Sequence, residues 1–126
     1  MPSKTTSGAP EGIKESLKKA TTEMLVLFLL KQKSMYTYEM MSTVEKLSEG
    51  RITFNTLYQA IYRLQGFGYI EESRKVMSES NRMRIYYAIT DSGRKYLTAL
   101  IENYRVMTDT IGKILSLDGK ICGEAE

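Results

Sequence analysis

The spacing of apolar residues along this chain changes period twice, and that change limits the folds open to it. Up to Gly68 the apolar positions recur every three or four residues. From Tyr69 to Ile89 they alternate, and from Thr90 onward the helical spacing returns. A period of 3.6 buries one stripe of a helix and a period of two buries one face of a strand, so the pattern predicts helices, then a hairpin, then a helix. The chain has 126 residues, enough for about one domain and one core.

The first helix is expected from Ser16 to about Lys31, where Leu17, Ala20, Met24, Leu27 and Phe28 follow the helical step and Leu25, Val26, Leu29 and Leu30 widen the apolar face. Ser34 is the expected cap of a second helix carrying Tyr38, Met41, Val44 and Leu47, which Gly50 stops. A third begins near Asn55 or Thr56, carries Leu57, Ile61 and Leu64, and ends at Gly66 and Gly68. Tyr69 to Val76 and Met83 to Ile89 then read as two strands joined by a polar tip, Ser78-Glu79-Ser80-Asn81. Thr90 and Asp91 offer a cap for a long last helix. The expected fold is mainly α with a small β-wing, a winged helix-turn-helix at residues 13–90 followed by a helix at 91–116. Residues 1–12 are expected to be a disordered arm, being nearly devoid of apolar side chains, and 117–126 a flexible tail.

Composition removes several classes of chemistry. The chain has no histidine, which excludes His-based triads and His metal ligands. Its single cysteine, Cys122, excludes an internal disulfide and a multi-cysteine zinc site, and fits a reducing cytoplasm. No spacing of Asp, Glu, Lys and Tyr pairs a nucleophile with a base. Neither an enzyme, a cofactor nor a metal is expected. The apolar run Met24 to Leu30 follows Lys14, Lys18 and Lys19 as in a secretory leader, but it has no small-residue cleavage site and is far short of the roughly 20 residues that span a bilayer. The net charge of +3 permits a polyanionic partner without requiring one.

Two clusters point to such a partner. If Leu57, Ile61 and Leu64 take the core side of the third helix, then Asn55, Thr56, Tyr58, Gln59, Tyr62 and Arg63 are left for solvent. Asn and Gln can pair bidentately with adenine and Arg with guanine, while Thr, Tyr and the helix N-terminus can hold phosphate. Arg74, Lys75, Arg82 and Arg84 meanwhile gather on the hairpin, which suits a duplex backbone. Either cluster has a plainer reading, as a solvated polar helix face or as charge protecting strand edges. Their adjacency favours double-stranded DNA. Tyr36, near the start of the second helix, could reach a phosphate. Tyr86 and Tyr87 alternate on the second strand, so one is expected on the core and the other outward.

In the last helix Leu97, Leu100, Tyr104, Met107, Ile111 and Ile114 fall on alternating three- and four-residue steps, and Ile101 and Leu115 widen the stripe. That is more apolar surface than a lone helix on a small core covers, so a homodimer interface is expected there.

Tyr36-Thr37-Tyr38-Glu39-Met40, Asn55-Thr56-Leu57-Tyr58, Arg63-Leu64 through Gly68-Tyr69-Ile70, and Arg84 through Thr90 with Gly93 together resemble the PadR family of transcriptional regulators, over about Leu17 to Leu115. The short single-helix C-terminus looks like its smaller subgroup, which includes regulators of multidrug transporters. The resemblance implies a dimeric winged-helix DNA-binding protein, mostly acting as a repressor, with the C-terminal helices at the dimer interface. It also implies a small planar apolar ligand at the dimer centre, with Tyr104 where relatives place a stacking aromatic and Met107 beside it. Thr37, Asn55, Gln59 and Ile85 depart from the family pattern, so the operator is left open. A winged helix can also serve as a protein-interaction module without touching nucleic acid, which is the alternative reading.

Overall fold

The computed structural model describes residues 10–122 in the order α1 (Pro10–Gln32), α2 (Thr37–Leu47), α3 (Leu57–Gly66), β1 (Ile70–Met77), β2 (Met83–Ile89) and α4 (Asp91–Leu115). The expected sequence of three helices, a wing and a long helix is therefore present. Helix α1 starts six residues before Ser16: Pro10 suits a first helical position, because its missing N–H would have no partner there, and Glu11 places a negative charge on the first turn. Of the expected arm at 1–12, residues 10–12 are helical and 1–9 lie outside the described residues. Beyond Leu115 the chain continues in hydrogen-bonded turns, Leu117 N–H to the Ile114 carbonyl at 3.0 Å and Lys120 N–H to that of Leu117 at 2.9 Å.

The core forms around the second half of α1. Val26, Leu27, Leu29 and Leu30 are buried and meet Met40 and Val44 of α2, Leu57, Ile61 and Leu64 of α3, Ile70 of β1 and Leu97 of α4. Each such side chain contributes about 1.5–3 kcal/mol by leaving water.

Ser34 does not cap α2. The helix starts at Thr37 with Tyr36 in the cap position and no side-chain cap bond. The reason is a long-range pairing: Met35 N–H donates to the Tyr87 carbonyl at 3.2 Å and Tyr87 N–H to the Met35 carbonyl at 2.9 Å. This bridge holds the chain extended past Ser34, so helical geometry can begin only after it. At the other end the chain leaves the helix through left-handed residues Glu49 and Gly50, and Gly50 N–H donates to the Glu45 carbonyl at 2.8 Å.

The hairpin is antiparallel, pairing Ile70 with Ile89 through Met77 with Met83, and a bulge between Glu72 and Arg74 sets Arg74 opposite Tyr86. At the tip Ser78 N–H donates to the Arg82 carbonyl at 2.8 Å, and Asn81 adopts positive φ. Within β1 only Ile70 is buried, so the rest of the strand stands away from the core. Tyr87 packs against the core while Tyr86 turns to Tyr36, which separates the two tyrosines as alternation requires.

Thr90 caps α4: its Oγ accepts from Gly93 N–H at 3.0 Å and donates to the Gly68 carbonyl at 2.7 Å. The first turn of α4 thereby lies against the β1 entrance. Leu97, expected at the dimer seam, is instead 1% exposed within the chain's own core, with Leu100 and Ile101 packed against it. A three-four spacing marks an apolar stripe without saying what covers it, and the first turns are covered from within. The free stripe starts at Tyr104 and continues through Met107, Ile111 and Ile114, all exposed.

Gly93 is the closest approach in this packing. A Cβ there would lie 2.1 Å from the Tyr69 carbonyl oxygen and 2.8 Å from Cγ1 of Ile89. Gly93→Ala is expected to destabilise the fold by about 2–3 kcal/mol, because both obstacles are packed and one is backbone. Chemical denaturation checks this, and an unchanged midpoint would contradict the packing described.

Candidate nucleic-acid interface

Helix α3 divides into a core side and an open side because its apolar residues fall at steps of three and four. Leu57, Ala60, Ile61 and Leu64 are buried. At about 100° per residue, the side opposite them carries Gln59 and Tyr62, with Tyr58 on one flank and Arg63 on the other. Tyr62 is 80% exposed and Tyr58 68%. The Tyr58 flank faces α2, where its hydroxyl lies 3.4 Å from that of Thr37. The Arg63 flank faces α1, where Nε and Nη2 both bond one carboxylate oxygen of Glu23. Arg63 is thus tied to another helix at the edge of the open face.

Just before α3, Phe54 anchors the loop in the core while Asn55 is exposed and Thr56 half-buried. Thr56 occupies the cap position without a side-chain cap bond, so the expected hydroxyl cap is not formed. Asn55 and Thr56 share a groove with Lys18 and Lys19 of α1.

The wing stands beside this helix. Tyr36, Tyr58, Arg82 and Arg84 line one groove of ≈ 720 Å³ between the start of α2, α3 and the hairpin. Gln59, Tyr62 and Arg63 line an adjacent hollow. Arg74 and Lys75 lie further along β1, where Lys75 stands 3.9 Å from Glu72, an exposed contact worth little in water.

Two of the three arginines of the wing, Arg74 and Arg84, lie over aromatic rings. Arg74 lies over the Tyr86 ring at 4.0 Å and Arg84 over that of Tyr36 at 4.6 Å. The two rings meet edge to face at 5.2 Å. A guanidinium stacked on a ring keeps its N–H edge free, so it can still donate to an anion. Close by, Lys33 pairs with Glu39 at 2.9 Å, and the hydrogen bond and charge of Glu39 raise the lysine above its ordinary value. Burial, with the charge of Glu72, similarly raises the Tyr87 phenol above its ordinary value.

Residues outside the expected set therefore belong to this surface. Glu23, Lys18, Lys19 and Lys33 all come from α1 or the turn after it. Glu23 stands four residues before fully buried Leu27, hence on the core-facing side of α1, and a carboxylate so placed calls for a partner. Among the described residues no group of three or more potential metal ligands occurs, and no described helix is long and apolar enough to cross a membrane.

A helix with one polar open face, set beside a basic hairpin, defines a winged helix-turn-helix regulator. The family model for the transcriptional regulator PadR-like family matches residues 26–99, more than half of the chain. The chain belongs to the PadR-like family; it is a transcription regulator and not an enzyme. Among solved structures it resembles a transcriptional regulator from Clostridium thermocellum at 27% identity and TM-score 0.69, over 78% of this chain and 96% of the other. A PadR family regulator from Eggerthella lenta matches at 29% identity and TM-score 0.71, over 83% and 90%. A PadR-like regulator from Bacillus cereus, at 24% identity and TM-score 0.66 over 79% and 96%, shares the fold. Comparison with curated proteins gives no significant match.

The stacked rings yield a test of the wing root. Tyr36→Leu removes the surface beneath Arg84 and the edge contact to Tyr86, whereas Tyr36→Phe keeps both. Hydrogen exchange of the β1–β2 amides is expected to quicken in the leucine variant, reflecting a loss of about 0.5–1.5 kcal/mol. In the phenylalanine variant it should stay near the wild-type rate. Equal exchange in both variants would mean the stack does not hold the hairpin.

Proposed function

We propose that this protein is a cytoplasmic, homodimeric, sequence-specific DNA-binding repressor. Helix α3 enters the major groove with Asn55, Thr56, Gln59 and Tyr62 toward the base edges and backbone, and Tyr36 and Tyr58 flank it on the phosphate side. Arg74, Lys75, Arg82 and Arg84 grip the neighbouring backbone. The observation that carries this reading is the groove that Tyr58, on the flank of the polar face of α3, shares with Arg82 and Arg84 of the hairpin, where Arg84 is stacked on Tyr36 yet free at its donor edge. Family membership supports it. The dimer would address two half-sites about one helical turn apart.

Dimerisation rests on the distal part of α4. Tyr104, Met107, Ile111 and Ile114 form an exposed apolar stripe, with Leu100 and Ile101 at its inner end. A stripe of this kind favours a second copy of the same helix over water. An apolar planar effector entering between the two helices beside Tyr104 and Met107 would act by binding one dimer arrangement better than another.

Titration of specific and random duplexes at two salt concentrations tests the DNA role. Lys75→Ala and Arg82→Ala should weaken binding to every sequence and lower the salt slope by about 1 each, while Gln59→Ala should cost about 1–3 kcal/mol on the specific site only. Salt-insensitive binding unchanged in all three variants would refute the assignment. Sedimentation tests the seam: Ile111→Asp should give monomers that bind one half-site at best. If Tyr104→Ala still dimerises but binds a planar cationic dye as well as the parent does, the effector site lies elsewhere.

A further inference from the structure

Arg63 is the only arginine or lysine within α3, and it is engaged by Glu23. Its Nε and Nη2 converge on a single carboxylate oxygen, so its side-on edge is occupied and the guanidinium is tied toward α1 rather than extended from the open face. The charges of Glu23 and Arg63 are both felt at the phenol of Tyr96 in α4, which stacks on Tyr69 with centroids 4.2 Å apart. Glu23 is the more enclosed partner, its side chain 22% exposed against 57% for Arg63. The carboxylate is thus fixed by α1, and the longer arginine bends to reach it.

What remains on the open face is Gln59 and Tyr62, with Asn55 just ahead of the helix. Carboxamides pair bidentately with adenine N6 and N7, and a ring edge packs on the thymine methyl. No free cation is left on α3 for guanine. We propose that Glu23 is a specificity-determining residue: by holding Arg63 against α1 it leaves the recognition helix with an amide and phenol face, and so selects half-sites centred on A·T pairs.

This proposal rests on the DNA-binding reading above, and the test separates the two. The full-length protein is used to select duplexes from a pool with randomised half-sites, and selected duplexes are then titrated. Wild type is expected to enrich A·T pairs opposite α3. Arg63→Ala should change discrimination between A·T and G·C at those positions by less than about twofold, whereas Gln59→Ala should reduce it by about 5- to 100-fold. Glu23→Gln, which removes the charge but keeps the shape, should release Arg63 and add a preference for guanine of about fivefold or more at one position per half-site. The double variant Glu23→Gln/Arg63→Ala should lose that gain, which a general loosening of the fold would not do.

A wild-type site centred on guanine and abolished by Arg63→Ala overturns the proposal and leaves the DNA role intact. Failure of wild type to enrich any sequence overturns both. Should Glu23→Gln melt far below wild type, the wild-type selection and Arg63→Ala still decide the question.

Discussion

Everything this chain presents to a partner is attached to the second half of α1. Val26 and Leu27 are completely buried and Leu29 and Leu30 nearly so, which means the helix is covered on most of its circumference there. A helix in that state must be surrounded, and α3, β2 and α4 are what surround it. The relative placement of the polar face of α3 and the apolar stripe of α4 is therefore a consequence of packing on one common rod. A close-packed interior resists continuous deformation, so neither surface can shift without the other elements repacking.

The wing is held by different forces. Beyond Ile70 strand β1 contributes nothing to the core, and a two-stranded ribbon alone is barely stable in water. Its root is fixed by the Met35–Tyr87 backbone bridge and by the Tyr36–Tyr86 pair with its stacked arginines. These are contacts of a kcal/mol or so each, against a core held by many buried side chains. A firmly packed α3 beside a more loosely anchored hairpin is what such a difference in anchoring produces.

Periodicity made the elements legible because burial is what periodicity records. Leu27, Val44, Leu57, Ile61, Leu64 and Leu97, all on three-four steps, are covered in the structure, whereas Leu17, Tyr38, Leu47 and all of β1 beyond Ile70 are exposed. What spacing could not disclose was which neighbour does the covering. Leu97 and Ile111 share one stripe, yet Leu97 is buried by α1 and its surroundings while Ile111 is exposed. Ser34 has the chemistry of a cap but loses the position to a strand-like bridge between Met35 and Tyr87, 52 positions apart. Arg63 lies on the outer half of a helical wheel, and only the tertiary fold brings Glu23, 40 residues earlier, within reach. In each instance a local rule was overridden by a contact distant in sequence.

The division of α4 bears on how a regulatory signal could travel under the proposed effector reading. Its first turns are locked by Gly93 against Tyr69, by the Thr90 cap and by Leu97, and Tyr96 stacks on Tyr69, whose N–H donates to the Leu64 carbonyl of α3 at 2.9 Å. Tyr104 lies eight residues beyond Tyr96, about 12 Å along an unbroken helix. A helix without proline or a break transmits rotation better than a loop, since its backbone hydrogen bonds resist local bending. Repacking around Tyr104 would then reach α3 through Tyr96, with no mobile linker needed between the dimer seam and the reading face.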